Sequence, residues 1–311
     1  LVFMSNFPVI GLDRKVFHFG SQYMWLDWQK FLPKENKYIV SFYHGKPEDS
    51  PEVKRHIENF LKSKYSLFKI ITGASLIYQR LLDWGVEEKK LSLIPIGVDT
   101  NLFNISNKKF KSQIRSELGF EKDEFVIGSF QKDGIGWNKG EKPKYIKGPD
   151  LFVKTIELIA KELKIAVLLT GPARGYVKRE LSRRNIKFKH IYLDSYEEIS
   201  KYYQSLDLYI VSSREEGGPK AIVESMASGV PIVTTNVGMA RYFIVNNHNG
   251  AIIEDFDPKK IAQKSIEILL DPNKEIQIRN ARKDVLRADW NNISKLLLNE
   301  VYLPALKELE N

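Results

Sequence analysis

The sequence predicts an α/β fold built on parallel sheets, and three observations support that prediction. Short apolar runs of strand length alternate with amphipathic stretches of helix length along most of the chain. Residues 208–233 follow the order strand, loop, helix, strand, which is typical of the βαβ unit of a parallel sheet. The 311 residues, 43% of them hydrophobic, are enough for two domains with hydrophobic cores of their own.

The first half of the chain supplies strands and helices in alternation. Residues 1–4 fit either a first strand or an ordered tail. We expect strands at 16–19, 38–43, 68–72 and 91–94. We expect helices at 22–32, at 51–62 and from 74 or 75 to 84. Pro33 ends the first helix and Gly85 ends the third, because proline cannot continue a helix and glycine favours the residue just past its end.

The second half continues the alternation. We expect strands at 124–130, 165–170, 191–193, 208–211, 231–233 and 252–253. We expect helices at 106–118, 151–163, 197–205 and 219–228, from 257–258 onward, at 276–287 and at 293–309. In the 219–228 helix, Pro219 suits the first helical position and Gly229 suits the residue past the end.

The 208–233 unit carries two carboxylates around one helix start. Glu216 lies in the loop, and Glu224 lies in the second helical turn, away from the apolar face. Between them, the free N–H groups of Gly217, Gly218 and Lys220 attract an anion. Carboxylates accept hydrogen bonds from sugar hydroxyls, and N–H groups and a lysine hold phosphates, so the arrangement suits a nucleotide-sugar. Alternatively, Glu216 is only a helix-start residue and Glu224 an exposed i, i+4 partner of Lys220.

The string EGGPKAIVE at 216–224 closely resembles the Glu-x7-Glu motif of retaining glycosyltransferases of the GT-B fold, family 4. In that family the first glutamate contacts the transferred sugar near its reacting carbon, and the second binds the ribose of the donor. The resemblance therefore implies a catalytic role for Glu216 and ribose binding by Glu224. The other matching positions are Gly217, Pro219, Met226, Ala227, Gly229 and Pro231.

This resemblance implies two Rossmann-like domains that face a cleft. We expect an acceptor-side domain at 1–104 and a donor-binding domain at 105–289, with a C-terminal helix at 290–311 that packs back on the first domain. The first domain is shortened and has no Gly-rich loop after a first strand. The acceptor side is therefore reduced, or the sequence lacks its beginning.

Two segments of the first half extend the resemblance. The string IPIGVDTNLF at 94–103 is similar to the family's Gly-Val-Asp segment. His44 follows a strand end, where family members often carry a histidine that faces the transferred sugar. The resemblance thus implies that His44 takes part in catalysis, with a structural or merely exposed histidine as the alternative.

The donor diphosphate is assigned to a group of cationic and loop residues. Lys147 begins the string KGPD, which resembles the family's Lys-Gly-x-Asp segment, whose lysine binds the diphosphate. Where the family commonly has a second clamp, an arginine, this chain has Ser129, and Lys132 is the candidate for the missing charge. A leaving diphosphate gains negative charge, so cations are needed there. The remaining members of the group are Gly218, Pro219 and Lys220.

Three further residues are expected to line the cleft or contact the base. Gly171 belongs to a turn that resembles the glycine turn of the family's donor cleft. Arg174, in the same turn, either contacts phosphate or acceptor or lies on the surface. Tyr192 follows an expected strand after which the family binds the base edge.

Composition limits the partners. The formal net charge is +9 and the sequence pI is near 9.3. Most of the lysines fit solvated helix faces, but an anionic membrane that carries a lipid-linked acceptor also suits the charge. Nucleic acid is not expected, because the sequence has no RNA-binding aromatic signature, zinc-finger spacing or basic zipper. The absence of cysteine excludes disulfides and agrees with a cytoplasmic protein, and no secretory signal or bilayer-length apolar run is visible.

Together these features predict a retaining hexosyltransferase. It would move a hexose from a nucleoside-diphosphate sugar, with UDP or GDP as nucleotide, to a hydroxyl of a glycan or lipid-linked acceptor. The resemblance implies that no metal or cofactor is required, and the sequence contains no Asp-x-Asp motif. We expect the protein in the cytoplasm, with peripheral contact at the inner face of the membrane as a variant of that location. The alternatives are an epimerase or phosphorylase on the same fold, and an inactive sugar-nucleotide-binding or basic surface-binding protein.

Overall fold

The computed structural model describes residues 11–310, which divide into two units. The first unit contains the chain up to Ile96 together with residues from Asn291 onward, and the second contains Gly97–Trp290. The strand or tail expected at residues 1–4 lies outside the described residues.

The chain enters the second unit ahead of the boundary that we expected after residue 104. Backbone hydrogen bonds explain this difference, since Val98 N donates to Ala288 O at 2.9 Å. Arg282 also donates to Phe103 O at 2.6 Å. Residues 97–104 are therefore bonded into the second unit.

The first unit is built on four parallel strands in the order β1-β2-β3-β4. They are β1 (Val16–Phe19), β2 (Lys37–Ser41), β3 (Lys69–Thr72) and β4 (Leu91–Leu93). The connecting helices are α1 (Gln22–Trp28), α2 (Pro51–Ser63) and α3 (Ser75–Asp83). Ser21 and Ser50 cap α1 and α2, since each side chain accepts a hydrogen bond from a backbone N–H in the first turn. The helix expected at 22–32 stops at Trp28 and continues as a short 3-10 helix, Gln29–Phe31.

The second unit has six parallel strands in the order β10-β9-β8-β5-β6-β7. They are β5 (Phe125–Phe130), β6 (Ile165–Thr170), β7 (Phe188–Ile191), β8 (Leu208–Val211), β9 (Ile232–Thr235) and β10 (Ala251–Ile253). The strand expected at 191–193 lies earlier, because the chain pairs with β6 from Phe188 to Ile191. As an edge strand it is only partly buried, so its sequence lacks the continuous apolar run of the central strands.

Eight helices accompany this sheet within the described chain. They are α4 (Lys108–Glu117), α5 (Pro149–Ile159), α6 (Gly175–Arg183), α7 (Ile199–Gln204), α8 (Lys220–Ala227), α9 (Ala240–Phe243), α10 (Pro258–Leu270) and α11 (Lys274–Val285). The central strands β6, β8 and β9 are buried along their whole length, which is typical of a parallel sheet covered on both faces.

The chain ends on the first unit. Helix α12 (Trp290–Leu297), a π-helical turn (Leu298–Tyr302) and helix α13 (Leu303–Glu310) follow one another without a break. Their apolar side chains Ile293, Val301 and Ala305 pack with Ile39 and Ile71 of the sheet. This packing covers one face of the β1–β4 sheet, and α1 to α3 cover the other.

Both sheets are entirely parallel, so the predicted α/β class is confirmed. Within residues 11–310, no helix has the length and apolar character that crossing a bilayer requires.

Candidate active site

The strand order of the second unit reverses between β5 and β8. After β5 the chain builds outward through β6 and β7, and it then returns to add β8, β9 and β10 on the other side. In open α/β sheets, ligands bind outside the carboxyl ends of the strands at such a reversal. The loop after β5 ends in Lys147, and the loop after β8 carries Glu216. The fold therefore brings two predicted site residues to the position where a ligand is expected.

Lys147 and Glu216 are in direct contact. The ammonium of Lys147 donates to Oε2 of Glu216 at 2.5 Å, and the two side chains are 26% and 13% exposed. The hydroxyl of Ser213, at the end of β8, donates to Oε1 of the same carboxylate at 2.8 Å. A cation and a carboxylate are thus paired in a partly buried position, where both side chains keep some exposed surface.

Gly148 and an ion pair fix the backbone beside Lys147. Gly148 has a φ of +61°, and a Cβ there would lie 1.8 Å from the carbonyl oxygen of Ser212, so only glycine fits. Arg214 forms two hydrogen bonds of 2.8 Å with the carboxylate of Asp150 in the first turn of α5. The Lys-Gly-x-Asp segment is therefore bound to the loop after β8 at two points.

Further lysines add positive charge near this pair. Burial and the nearby charges of Lys147 and Lys132 lower the pKa of Lys144. The ammonium of Lys132 lies 3.4 Å from the ring centroid of Trp137. These charges would attract a diphosphate. Contact of Lys132 with the donor stays a prediction.

The loop that leads into α8 is closely packed. Pro219 stands just before the helix rather than inside it, with an extended backbone. Gly238, after β9, packs against it, because a Cβ on Gly238 would lie 2.6 Å from Pro219 and 3.2 Å from Gly218 N. Lys220 is exposed, and its ammonium lies 5.0 Å from the ring centroid of Tyr196. Phosphate binding by Gly218, Pro219 and Lys220 stays a prediction.

Glu224 is buried, so its alternative interpretation as an exposed partner of Lys220 is wrong. Glu224 is only 4% exposed, because every residue of α8 from Ile222 to Ala227 is buried. The hydroxyl of Tyr203 donates to Oε2 at 2.9 Å, and that of Tyr196 donates to Oε1. Burial raises the pKa of Glu224, and the two tyrosine hydrogen bonds only partly oppose that effect. The carboxylate is thus held by tyrosines in this structure, and its binding to ribose stays a prediction.

Arg174 takes none of the roles that we expected, and this prediction is wrong. Its side chain is fully buried and its Nε lies 3.1 Å from Oδ1 of Asp133, which is also fully buried. The guanidinium also donates to the carbonyl oxygens of Ser129 at 2.6 Å and Thr170 at 2.8 Å. Arg174 therefore ties the ends of β5 and β6 to the loop that leads to Lys147, with its side chain shielded from solvent.

Gly171 and Tyr192 lie on the β6 and β7 side of the sheet. Gly171 has a φ of +89°, and its carbonyl oxygen is 2.8 Å from Nε2 of His190. Tyr192 is 69% exposed and its ring centroid is 4.5 Å from that of His190. The predicted contacts of Gly171 and Tyr192 with the donor are untested.

His44 belongs to the first unit. It follows β2, its side chain is exposed, and its carbonyl oxygen accepts a hydrogen bond of 3.0 Å from Gln22 Nε2. Its predicted part in catalysis is untested.

Several residues that contact the predicted site residues were not among those predicted from the sequence. Ser213 at the end of β8 was readable as a polar residue at a strand end, but we assigned it no role. Tyr196 and Tyr203 gave no local signal, because their partner Glu224 lies more than twenty residues away. Within residues 11–310, no cluster of three or more His, Asp or Glu side chains is arranged to bind a metal ion.

Comparison with known proteins decides the family. The profile of the family described as Glycosyl transferases group 1 matches residues 120–285, which is more than half of the chain. The chain belongs to this family. The match covers both loops of the candidate active site, including Lys147, Glu216 and Glu224.

Two glycosyltransferases resemble the chain over more than two thirds of its length. A D-inositol 3-phosphate glycosyltransferase of Xylanimonas cellulosilytica is 24% identical over 235 residues, which cover 72% of this chain and 54% of the relative. An uncharacterized glycosyltransferase of Methanocaldococcus jannaschii is 25% identical over 253 residues, with coverages of 79% and 62%. The chain thus spans little more than half the length of these relatives.

Solved structures show the same fold. The Anabaena protein HepE in complex with UDP and glucose superimposes with a TM-score of 0.78 at 18% identity, covering 92% of this chain and 77% of that one. Sucrose-phosphate synthase of Thermosynechococcus elongatus gives a TM-score of 0.76 at 18% identity, with coverages of 94% and 74%. The GT-B part of the predicted fold is therefore confirmed.

Proposed function

We propose that the protein is a retaining, family 4 glycosyltransferase of the Glu-x7-Glu type. It would transfer a hexose from a nucleoside-diphosphate sugar to a hydroxyl of a glycan or lipid-linked acceptor. The observation that carries this proposal is the contact between Lys147 and Glu216 at the reversal of the strand order. The contact places a cation suited to phosphate beside a carboxylate suited to sugar hydroxyls, which is the pairing that an adjoining diphosphate and sugar would need.

Donor binding would exchange the partners of both side chains. The ammonium of Lys147 would pass from Glu216 to a phosphate oxygen, and Glu216 would accept hydrogen bonds from sugar hydroxyls. Lys144 and Lys132 raise the positive charge around the leaving diphosphate, which gains negative charge as the sugar departs. Glu224, which lies about one turn after the start of α8, would bind the ribose hydroxyls.

Retention would follow from departure and attack on the same face of the sugar. Positioning and charge stabilisation, rather than a strong base, would then supply most of the rate enhancement. Glu216 would stabilise positive charge that develops at the reacting carbon, and His44 would contact the transferred sugar, as the family resemblance implies.

UDP is the favoured nucleotide, and GDP is the second. One structural neighbour, the Anabaena protein HepE, was crystallised both with UDP and glucose and with UDP-glucose, which supports uridine as the base. Gly171 and Tyr192 would line the base side of the cleft. The proposed location is the cytoplasm, and the proposed acceptor is a glycan or a lipid-linked sugar.

The experiment is a turnover assay with UDP-, GDP- and ADP-hexoses, with and without acceptor alcohols. Release of nucleoside diphosphate that depends on an acceptor, with the product anomer read by NMR, identifies a retaining transferase. Isomerised nucleotide-sugar indicates an epimerase, and phosphate-dependent release indicates a phosphorylase.

Glu216→Ala should lower turnover by about 10²–10³-fold, as removal of a charge-stabilising group does. Lys164→Ala is the control, because Lys164 pairs with Glu121 and Asp123 at the opposite end of the sheet. No turnover with any donor, or full activity of Glu216→Ala, would contradict the proposal.

A further inference from the structure

The enlarged loop between β5 and Lys147 folds into an ordered hairpin. Ile135 N donates to Lys142 O at 2.9 Å and Lys144 N donates to Asp133 O at 2.8 Å, with an antiparallel bridge between Gly134 and Pro143. We refer to residues 133–144 as the 133–144 hairpin. It is a defined two-stranded element, although the sequence reads only as loop.

The 133–144 hairpin is fixed to the body of the second unit. The carbonyl oxygens of Lys139 and Gly140 accept hydrogen bonds of 2.7 and 2.9 Å from the first two N–H groups of α6. A Cβ on Gly134 would lie 2.3 Å from Ala173 O, so the hairpin backbone rests directly on the chain before α6. The buried pair of Asp133 and Arg174 adds an ionic anchor. The tip of the hairpin therefore cannot fold inward to bury its side chains.

Large apolar side chains project from this fixed hairpin. Trp137 is 79% exposed and Ile135 is 58% exposed, and Tyr145 just beyond the hairpin is also 58% exposed. Exposed apolar side chains that are grouped on one rigid element mark an interaction surface more often than single scattered ones do. Tryptophan in particular favours the boundary between lipid and water.

The same hairpin carries unpaired positive charge. Three lysines lie in the hairpin, Lys139, Lys142 and Lys144, and a fourth, Lys132, directly precedes it. Within the described part of the chain, none of these four lysines forms an ion pair with a carboxylate. The two acidic residues nearby are already neutralised, since Asp133 pairs with Arg174 and Glu141 pairs with Arg179 at 2.8 Å. The surface is therefore both apolar and cationic.

We propose that the 133–144 hairpin docks on an anionic lipid surface, with Ile135 and Trp137 in the interface and the lysines on the lipid headgroups. Apolar side chains ringed by lysines suit this partner, because the two contributions add at a membrane surface. A soluble glycan would instead stack on the face of Trp137. The ammonium of Lys132 already covers that ring at 3.4 Å from its centroid, so the structure favours the lipid surface over a glycan. Vesicle binding does not depend on the proposed function. One consequence does rest on it: the hairpin leads directly into Lys147, so docking would hold the donor site close to a lipid-linked acceptor.

The test measures sedimentation of the 311-residue protein with vesicles of phosphatidylcholine alone or mixed with phosphatidylglycerol, at low and high salt. The protein should bind the anionic vesicles only, and salt should weaken that binding. Ile135→Ser/Trp137→Ser should weaken binding by about tenfold or more, since burial of one large apolar side chain is worth at least that factor. Lys139→Gln and Lys142→Gln should each weaken it by about fivefold.

The matched control is Tyr65→Ser. Tyr65 is 74% exposed and lies under the ammonium of Lys64 at 5.5 Å, but it belongs to the first unit. Its replacement should leave vesicle binding unchanged. The proposal is overturned if the parent protein does not bind anionic vesicles, or if the hairpin variants bind them as the parent does. It is likewise overturned if these variants keep vesicle binding and lose binding of soluble oligosaccharides, because the hairpin would then be a glycan platform.

Discussion

The ammonium of Lys147 lies 2.5 Å from the carboxylate of Glu216, although 69 positions separate the two residues in the sequence. Each residue follows one of the two strands, β5 and β8, between which the sheet reverses its order. In this structure each charge therefore satisfies the other. In the proposed mechanism, a diphosphate that binds Lys147 would compete with Glu216 for the ammonium, and Glu216 would then turn toward the sugar.

Replacement of Glu216 by glutamine should separate nucleotide binding from turnover. Without the competing carboxylate, Lys147 is free for phosphate, so nucleoside diphosphate binding should be unchanged or tighter by up to about tenfold, the size of one charge-assisted hydrogen bond. Sugar transfer should be lost. Titration calorimetry with the nucleoside diphosphate measures the first effect. Glu254→Gln, at an exposed ion pair with Arg241, is the control and should change neither quantity. Weaker nucleotide binding by Glu216→Gln would mean that Glu216 itself holds the nucleotide.

The ionised side chain of Glu224 should lower the stability of the folded protein, although ribose binding is proposed to need it. Burial raises the pKa of Glu224 above its ordinary value of 4.5, so in the window just above 4.5 the folded state retains a proton that the unfolded chain has lost. Its contribution to stability therefore declines as pH rises through that window and stays low above it. Glu224→Gln should be at least as stable as the parent at pH 7 in urea unfolding, and it should lack this decline. It should also bind nucleoside diphosphate more weakly. A Glu224→Gln protein that is clearly less stable at neutral pH would contradict this account.

The buried pair of Arg174 and Asp133 should be a major structural element. Arg174→Met leaves an unpaired carboxylate with no exposed surface, and loss of one partner of a buried pair costs about 3–5 kcal/mol of unfolding free energy. Adding Asp133→Leu in the same chain should recover most of this loss, because no buried charge then remains. The exposed pair supplies the control, since Arg241→Ala should cost about 0–1 kcal/mol. Urea unfolding measures all three proteins. Equal stability of Arg174→Met and Arg241→Ala would show that the pair contributes little.

Gly97 should be required by packing rather than by chemistry. A Cβ there would lie 2.5 Å from the indole of Trp290, so Gly97→Ala should cost about 1–3 kcal/mol through overpacking. In a Trp290→Ala background the same change should cost much less. Gly20→Ala is the control, because a Cβ at Gly20 meets no atom within 4 Å. Thermal unfolding of the four variants measures the coupling, and full additivity would rule out the contact.

The alternation of strands and helices could be predicted from the sequence because it rests on local patterns. Helix ends were less certain. The 22–32 helix stops early at Trp28, and the exposed edge strand β7 begins before its expected position. The strand order was not predicted, because a sequence does not state which strands pair. The reversal between β5 and β8, which explains why Lys147 and Glu216 meet, could therefore only be seen in the structure.

Two short strings, the Lys-Gly-x-Asp segment and the Glu-x7-Glu motif, indicated Lys147, Glu216 and Glu224 as site candidates, because each string is local in the sequence. The predicted role of Arg174 was wrong because its contact depends on a residue far away in the sequence. Its partner Asp133 lies 41 residues earlier in a loop, and nothing in the local sequence indicates that the two meet in the core. Buried pairing over such a distance depends on the tertiary fold, as does the enclosure of Glu224 by two tyrosines.

The most direct measurement is calorimetric titration of UDP, GDP and ADP into the parent protein, Lys147→Ala and the control Lys164→Ala. One nucleotide, with UDP favoured, should bind the parent and the control equally. It should bind Lys147→Ala at least about tenfold more weakly, because a charge-assisted contact to phosphate is lost. Equal affinity of the parent and Lys147→Ala, or no binding of any of the three nucleotides by the parent, would contradict a donor site at the reversal of the strand order.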